Sequence, residues 1–385
     1  MRFKVPFLLL ALIALVIALA TVLEHNAGTR VAMTWVYGAW WFKVLWGVMT
    51  LAALYLIYKK RLWHNRQTFC LHVAFVVILV GALTTSLTSR RGFVSVREGE
   101  TAMHYMVPEE DNDQVMRLVP LPFYLRLDSF RVEVDEDGIT HSDYVSYVRF
   151  IHKADEDKAT ISMNKIGRCQ GFRIFQTSYD DDLHGSTFTV SYDPWGTGIT
   201  YAGYLMLAVA MLFAKRNQTK SSAQKPMTKN SSFSVFSYQS ALWLLAILLS
   251  SYMVIAIAFR PLMPVLRSPM LFIHVGTIMV SYILLIVSIL KRNLLKVAVF
   301  FLAAGIFLGA MWANISWGSY WSWDPKESWA LVTLIVYSIP LHQKSLPWFR
   351  SDKHYRLYCV LCLLCLLMTY FGVNYLLGGM HSYAN

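Results

Sequence analysis

Cysteine is scarce in this chain, and the usual nucleotide-binding and hydrolase signatures are missing. The 385 residues include only 5 cysteines, and all but Cys169 fall in apolar stretches, so a disulfide framework does not organise the fold. There is no Walker loop, no dinucleotide-binding glycine fingerprint and no Ser-His-Asp signature. A Cys-x-x-Cys-His motif is also missing, so the chain is not itself a c-type cytochrome.

Acidic residues are the second shortage. Asp and Glu number 23 against 35 Lys and Arg, which gives a formal net charge of +12. Such a charge is compatible with nucleic-acid binding. However, 56% of the residues are hydrophobic and the mean hydropathy is +0.43, which is the composition of a membrane protein. The placement of the basic residues therefore decides between the two interpretations.

Apolar stretches of about 20 residues predict transmembrane helices. We find nine of them, at about 6–23, 41–58, 69–88, 197–214, 236–258, 269–290, 294–312, 327–343 and 357–377. The first ends in Leu-Glu-His instead of a small-residue cleavage site, so we predict a retained helix and not a signal peptide. The predicted fold is a membrane all-α polytopic helical bundle of about nine transmembrane helices.

The distribution of Lys and Arg predicts the orientation of this bundle. With a cytoplasmic N-terminus, the basic residues concentrate in the cytoplasmic loops, at 59–66, 215–229, 291–296 and 344–356. The short outside loops carry few basic residues. This pattern satisfies the positive-inside rule along all nine helices. We therefore expect a multi-pass protein of the inner (cytoplasmic) membrane that contacts lipid and binds no nucleic acid, with its C-terminus in the periplasm.

A polar region, 89–196, interrupts the bundle between predicted helices 3 and 4. Runs such as FYLRLDSFRVEV and STFTVSY alternate apolar and polar residues, which predicts strands. We expect an extracytoplasmic antiparallel β domain here, between helices 1–3 (residues 1–88) and helix 4 (197–215). The Ser-, Lys- and Gln-rich stretch 216–233 predicts a cytoplasmic linker, and 234–385 form the second helical domain.

Residues 312–329 read WANISWGSYWSWDPKESW, and we call them the Trp-rich segment. They include Trp312, Trp317, Tyr320, Trp321, Trp323 and Trp329. Trp and Tyr collect at membrane interfaces, so an aromatic belt is one interpretation. The density exceeds that of ordinary belts and suits a flat, apolar ligand. Asp324, Lys326 and Glu327 also fit as hydrogen-bonding anchors, and Pro325 is a helix-start signal.

Four histidines near helix ends predict two ligand pairs. His72 and His342 fall at the cytoplasmic ends of predicted helices, and His274 and His381 at outer ends. Ionisable residues within membrane spans are costly and by default functional, although each alone also fits a packing histidine. Paired neutral imidazoles are natural axial ligands for haem iron. Arg267 fits either bidentate pairing with a haem propionate or an ordinary interface position.

These motifs resemble a known family. WGSYWSWDPKESWAL followed by YSIPLH is similar to the Trp-rich haem-handling signature of the CcsA (ResC) cytochrome c assembly proteins. LHVAFVVILVGALTTSLTSRRGFVSVREGE and GFRIFQTSYD are similar to the partner protein CcsB (ResB). The chain thus resembles the fused CcsBA cytochrome c synthetases of system II. Haem handlers of the CcmC and CcmF type also carry a Trp-rich loop, but WDPKESWAL and the fused first half favour CcsBA.

The resemblance implies a holocytochrome c synthase (cytochrome c haem lyase). Such a protein exports haem b and attaches its vinyl groups by thioether bonds to Cys-x-x-Cys-His of apocytochrome c. It implies haem ligation by His72 and His342 at an inner site and by His274 and His381 at an outer site. Because the substrate thiols must be reduced, thioredoxin-like thiol reductases are expected partners.

Within this interpretation we assign roles in the Trp-rich segment. The expected catalytic surface is Trp317, Trp321, Trp323 and Asp324, and the expected haem contacts are Trp312, Trp329 and Arg267. Two other hypotheses stay open. One is a haem-delivery protein of the CcmC type, which makes no thioether, and the other is a membrane b-type electron-transfer cytochrome with permanent haems.

Overall fold

The computed structural model describes residues 5–108, 115–134, 141–153, 155–222 and 268–377, without the side chains of 141 and 211–222. Its main helices are α1 (Val5–Ala27), α2 (Trp40–Lys59), α3 (Arg66–Thr88), α4 (Gly196–Ser222), α5 (Pro269–Ser288), α6 (Leu295–Trp317), α7 (Pro325–Ser338) and α8 (Asp352–Leu367). Short helical turns Thr29–Ala32 and Met33–Tyr37 join α1 to α2, and a π-helix Met368–Leu377 continues α8. Further short turns are Leu62–His64, Arg292–Leu294, Ile339–His342 and Pro347–Arg350.

Six helical stretches of the described residues are long and apolar enough to cross a membrane. They are Val5–Ala27, Trp40–Lys59, Arg66–Thr88, Pro269–Ser288, Arg292–Trp317 and Asp352–Leu377. The predicted stretch 197–214 is also helical, with a shorter apolar part, Gly196–Ala210. The prediction of a polytopic helical membrane protein is therefore confirmed. The count of nine stays a prediction, since 236–258 lies outside the described residues.

Helix α7 departs most from its predicted span of 327–343. It has 14 residues, which at a rise of 1.5 Å per residue is about 21 Å, against about 30 Å of hydrocarbon. The chain then tightens into the 3₁₀ turn Ile339–His342, where Pro340 cannot donate to the preceding helical turn. His342 therefore ends a tight turn instead of lying within a regular helix.

The inserted β domain between α3 and α4 is confirmed. Its strands are β1 (Arg90–Arg97), β2 (Thr101–Pro108), β3 (Met116–Val134), β4 (His141–His152), β5 (Asp155–Ile161), β6 (Gly167–Cys169), β7 (Phe172–Tyr179) and β8 (Gly185–Tyr192). They form one antiparallel sheet in the order β5-β4-β3-β2-β1-β8-β7-β6. The edge strands β5 and β6 lie against each other, so the sheet is nearly closed. Alternate residues fill its interior, among them the fully buried Leu125, Leu127, Phe188 and Val190.

Close packing of α3 and α4 fixes the domain to the bundle. Gly81 lies against Thr200, and Gly203 against Ile78, so the two backbones approach closely. At their ends, the Asp193 carboxylate accepts hydrogen bonds from Thr85 Oγ1 at 2.8 Å and Thr197 Oγ1 at 2.7 Å. The β domain is thus tethered on both sides by a tight helix pair.

The bundle has two chemically distinct ends. One, the basic end, carries the turns 59–66, 289–296 and 339–352. Here Lys296 Nζ donates to Gln67 Oε1 at the start of α3 (3.5 Å), and Arg292 donates to Gln343 Oε1 (2.8 Å). The other, the β-domain end, carries the β domain and the Trp-rich segment. The halves of the chain interlock between these ends, for example where the rings of Tyr204 on α4 and Phe307 on α6 lie 4.8 Å apart.

The first residues of the predicted linker 216–233 are helical. Helix α4 continues to Ser222 and so includes residues 216–222 of this stretch. The remainder, 223–233, lies outside the described residues, as do Arg267 and His381.

Candidate haem-handling site

Two histidines from different halves of the chain meet near the basic end. His72 lies in the first part of α3 and His342 at the end of the turn that follows α7. Their ring centroids are 6.1 Å apart, with the ring planes at 89°. The prediction paired these residues from topology alone, and the fold brings them together.

Hydrogen bonds define which nitrogen each ring presents. His72 Nδ1 lies 2.8 Å from Thr68 O, and His342 Nδ1 lies 3.1 Å from Ser338 O. A carbonyl oxygen only accepts, so both Nδ1 atoms carry the proton, and Nε2 holds the lone pair in each neutral ring. This is the state in which imidazole binds a metal, with the second nitrogen held by a hydrogen bond.

Arg292 fixes the loop that follows His342. Its guanidinium donates to Gln343 Oε1 at 2.8 Å and to Phe349 O, and it lies over the Tyr355 ring at 4.6 Å. The Phe7 ring meets His342 edge-on at 5.3 Å. The position of His342 therefore depends on contacts from α1, α3 and the basic end of α8.

His274 is held on α5 by the backbone of α6. Its Nδ1 donates to Gly305 O at 2.7 Å. The ring lies against Gly309, where an added Cβ would be 2.6 Å from His274 Cε1. Gly305 and Gly309 are one helical turn apart on the same face, so the sequence GIFLG provides the groove that receives the imidazole.

The Trp-rich segment consists of two helix ends and a short bridge between them, with the helices reaching further into it than the predicted spans 294–312 and 327–343. Trp312 and Trp317 belong to the last turns of α6, and Trp329 belongs to α7. Between the helices the chain leaves α6 through Gly318, whose φ of 79° is strained for any other residue. Residues 318–324 therefore form a short bridge between two helix ends.

Acidic side chains fix this bridge. Asp324 caps α7, accepting from Lys326 N at 2.9 Å, as the Pro325 signal predicted. Glu327 Oε2 accepts from Ser322 N at 2.8 Å and Ser322 Oγ at 3.2 Å. The Lys326 ammonium donates to Asn374 Oδ1 at 3.0 Å. Asp324 and Glu327 hold backbone, which matches the anchor interpretation of these residues.

Two tryptophans pack on the first helices. Trp323 stacks on Tyr37 with ring centroids 4.8 Å apart and planes at 11°, and it meets Phe42 edge-on at 5.4 Å. Its φ of 60° is rare for a bulky residue, so packing must hold the strained backbone. Trp329 Nε1 donates to Thr21 Oγ1 on α1 at 3.0 Å. These contacts anchor the Trp-rich segment to α1, to α2 and to the Met33–Tyr37 turn between them.

The remaining tryptophans lie closer to α6. Trp312 is only 3% exposed and meets the Trp317 ring edge-on at 4.7 Å. Trp321 meets Trp323 edge-on at 5.8 Å. Among the residues that the structure describes, the buried Nε1 atoms of Trp312 and Trp321 have no hydrogen-bond acceptor. Buried donors are normally satisfied, so these two indoles can donate to a bound acceptor.

Other expected features are resolved. Cys359 and Cys362 are buried in α8 as free thiols, which agrees with their position in an apolar stretch. Within the described ranges, no group of three or more His, Cys, Asp or Glu side chains is arranged to hold a bare metal ion.

Sequence reasoning missed the residues that position the site. They are Tyr37 and Phe42 beside Trp323, the Gly305–Gly309 groove, and a row of β-domain side chains against α6 that includes Arg173. Only the glycine pair carried a visible signal, the small-xxx-small spacing of packed membrane helices. The others depend on contacts between distant parts of the chain.

The fold and site define a polytopic membrane protein with a histidine pair near its basic end, and with a Trp-rich segment and a β domain at the opposite end. Residues 59–202 match the ResB-like family, and residues 289–381 match the family described as Cytochrome C assembly protein. The chain therefore belongs to the proteins that join a ResB-like region and a cytochrome c assembly region in one polypeptide, that is, to fused CcsB/CcsA-like proteins of system II.

Named relatives match parts of the chain. It is 38% identical over 152 residues to protein NrfI of Wolinella succinogenes, which covers 32% of this chain and 17% of NrfI. It is 41% identical over 95 residues to the cytochrome c biogenesis protein CcsA of Oenothera argillicola, which covers 25% of this chain and 30% of that protein. It is 34% identical over 152 residues to CcsA of Chlamydomonas reinhardtii, which covers 32% of this chain and 43% of that protein. The chain thus matches less than half the length of these relatives.

Proposed function

We propose that this protein acts in cytochrome c biogenesis as a holocytochrome c synthase of the inner membrane. It takes haem b from the cytoplasmic side, passes it to the periplasmic side and attaches it to apocytochrome c. The observation that carries the proposal is the approach of His72 and His342, one from each family region, with both Nδ1 atoms occupied by helix carbonyls. Two imidazoles presented in this way are suited to axial ligation of haem iron.

The second site of the proposal lies at the β-domain end. His274 is one of its ligands, held with Nε2 as the lone-pair nitrogen, and His381 is its proposed partner. The indole donors of Trp312 and Trp321 suit the carboxylate groups of haem propionates, as does Arg267. Trp317 and Trp321 remain the proposed catalytic surface against porphyrin and peptide. Trp323 and Asp324 instead support that surface through packing and capping.

The chemistry requires no cysteine from this chain. Each thioether forms when a substrate thiol adds across a haem vinyl group. Sulfur bonds to one vinyl carbon, a proton ends on the other, nothing leaves and there is no net oxidation. The task of the protein is to hold haem and peptide in reacting geometry, and positioning of this kind contributes up to about 7–11 kcal/mol. Thioredoxin-like reductases are proposed to keep the substrate thiols reduced.

The test is co-expression with an apocytochrome that carries Cys-x-x-Cys-His, in a host without its own cytochrome c maturation system. We expect haem that stays on the cytochrome after denaturation, and none on a Ser-x-x-Ser-His control substrate. If holocytochrome fails to form when haem and reductant are sufficient, the synthase proposal is wrong. Haem attachment only after a separate haem chaperone is supplied would identify a delivery protein instead. Permanently bound haem reduced by quinol would identify a b-type cytochrome.

A further inference from the structure

Three side chains of the β domain form a row that faces the end of α6. Arg91 on β1 and Arg173 on β7 both lie directly opposite Ser191 on β8. Residues directly opposite one another on neighbouring strands point to the same face of a sheet. The row Arg91–Ser191–Arg173 therefore presents two guanidinium groups and a hydroxyl together.

This row donates to the last turn of α6. Arg173 donates to Asn314 Oδ1 at 2.7 Å and to Gly318 O at 3.3 Å. Ser191 Oγ reaches the same Gly318 oxygen at 3.4 Å, and Arg91 reaches Trp317 O at 3.4 Å. The Phe175 ring, next but one to Arg173 on β7, fills the space beside Gly318.

These contacts stabilise the end of α6. The last carbonyls of a helix have no partner within it and carry partial negative charge, so cationic donors stabilise them. Here the donors come from a different domain. The turn that they hold lies between Trp317 and the bridge to Trp321 and Trp323, so its conformation sets where the indoles point.

We propose that Arg173 is a positioning residue for the Trp-rich segment, and that the row Arg91–Ser191–Arg173 transmits the position of the β domain to it. The proposal rests on the proposed function, because the segment is positioned for haem. The contacts of Arg173 join the ResB-like region directly to the cytochrome c assembly region. The planar fork of Arg173 bonds Asn314 and Gly318 at once, which a lysine ammonium cannot reproduce with the same geometry.

Hydrogen exchange on the full chain in lipid nanodiscs, without added haem, tests the contact. In Arg173→Met we expect peptides that cover 312–323 to exchange about tenfold faster or more, because hydrogen bonds from a charged donor are lost. Arg173→Lys is expected to restore part of the protection, and Ser191→Ala to cause a smaller acceleration in the same peptides. The matched control is Arg168→Met. Arg168 pairs with Arg173 across β6 and β7 but is exposed, and no hydrogen bond joins its side chain to α6 in the described part of the chain.

The outcomes separate this proposal from the proposed function. Unchanged exchange at 312–323 in Arg173→Met overturns the positioning role. Equal acceleration throughout the β strands overturns it too, because the variant then unfolds the domain. Faster local exchange with a normal holocytochrome yield also contradicts it. If the wild-type chain makes no holocytochrome, the synthase proposal fails, while the exchange result still decides whether the contact exists.

Discussion

The histidine pair near the basic end and the Trp-rich segment at the β-domain end are built in opposite ways. His72 and His342 are far apart in sequence, and each is oriented by a carbonyl four residues earlier in its own helical stretch. Their pairing depends only on how the helices dock. The Trp-rich segment is continuous in sequence, yet contacts from α1, α3, the Met33–Tyr37 turn and the β domain hold it. The proposed inner site thus depends on two side chains that helix docking brings together, whereas the proposed outer site depends on the contacts that support the Trp-rich segment.

The largest expected effect is on the histidine pair. His72→Ala and His342→Ala each remove one proposed axial ligand. We expect the purified protein to lose most of its haem at both sites, because in the proposed function haem enters through the inner site. His274→Ala should empty only the outer site. Absorption spectra of the haem that copurifies measure these losses.

The controls for this prediction are His64→Ala and His354→Ala, at the basic end but outside the pair. His64 bonds Arg61 O, and His354 stacks on Trp348. Equal haem content in the controls and in the variants of the pair would contradict the two-site interpretation.

Substitution of Trp323 tests whether packing contacts hold the Trp-rich segment in place at the β-domain end. Trp323→Ala removes the stacked partner of Tyr37, and we expect a loss of about 3 kcal/mol of stability, the lower end of the range for core aromatics. Trp323→Phe keeps a ring in the stack and should recover much of the lost stability. Thermal unfolding in detergent measures the stability of both variants. Trp195→Ala is the matched control, because Trp195 lies at the same end with 67% of its surface exposed. Similar melting temperatures for Trp195→Ala and Trp323→Ala would show that Trp323 is not an anchor.

Gly309 tests the groove beneath His274. In Gly309→Ala the new methyl group collides with the imidazole, so we expect about 1–3 kcal/mol of destabilisation and an altered outer-site haem spectrum. Gly47→Ala on α2 is the control, since nothing lies within 4 Å of an added Cβ there. Alanine at Gly47 should be neutral or stabilising. An unchanged haem spectrum in Gly309→Ala would separate His274 from haem binding.

The smallest expected effect is on the pH dependence of the stability of the β domain. Glu98 accepts from Phe130 N at 2.7 Å and from His184 Nδ1 at 3.0 Å, and these bonds lower the pKa of its carboxyl below the usual 4.5. Because the folded pKa is the lower one, the stabilisation is full above pH 4.5 and is lost as the pH falls through the folded value. This exposed pair is worth about 0.2–1 kcal/mol.

Thermal unfolding of wild type and Glu98→Gln measures this effect. We expect wild type to be the more stable at pH 7 and the difference to shrink below pH 4.5. A constant difference across this range would mean that Glu98 ionisation does not contribute.

Much of the architecture was predictable because its causes are local. Long apolar runs specify helices, alternation specifies the strands of 89–196, and Asp324-Pro325 specifies the start of α7. The predicted helices 294–312 and 327–343 already included Trp312 and Trp329, but the observed helices extend further into the Trp-rich segment, to Trp317 and back to Pro325. Aromatic density carries no information on backbone conformation, and only Gly318 marks the actual break.

The sequence by itself determined which residues can carry the chemistry: the histidines, the tryptophans, and the charge pattern that predicts a side of the membrane for each. Composition and periodicity are sufficient for this, since burial and membrane insertion act on short segments. Tertiary structure alone decided that His72 meets His342, that Trp323 supports while Trp312 and Trp321 keep available donors, and that Arg173 holds the end of α6. Such contacts join residues that no local pattern relates, so their geometry emerges only when the two halves pack together.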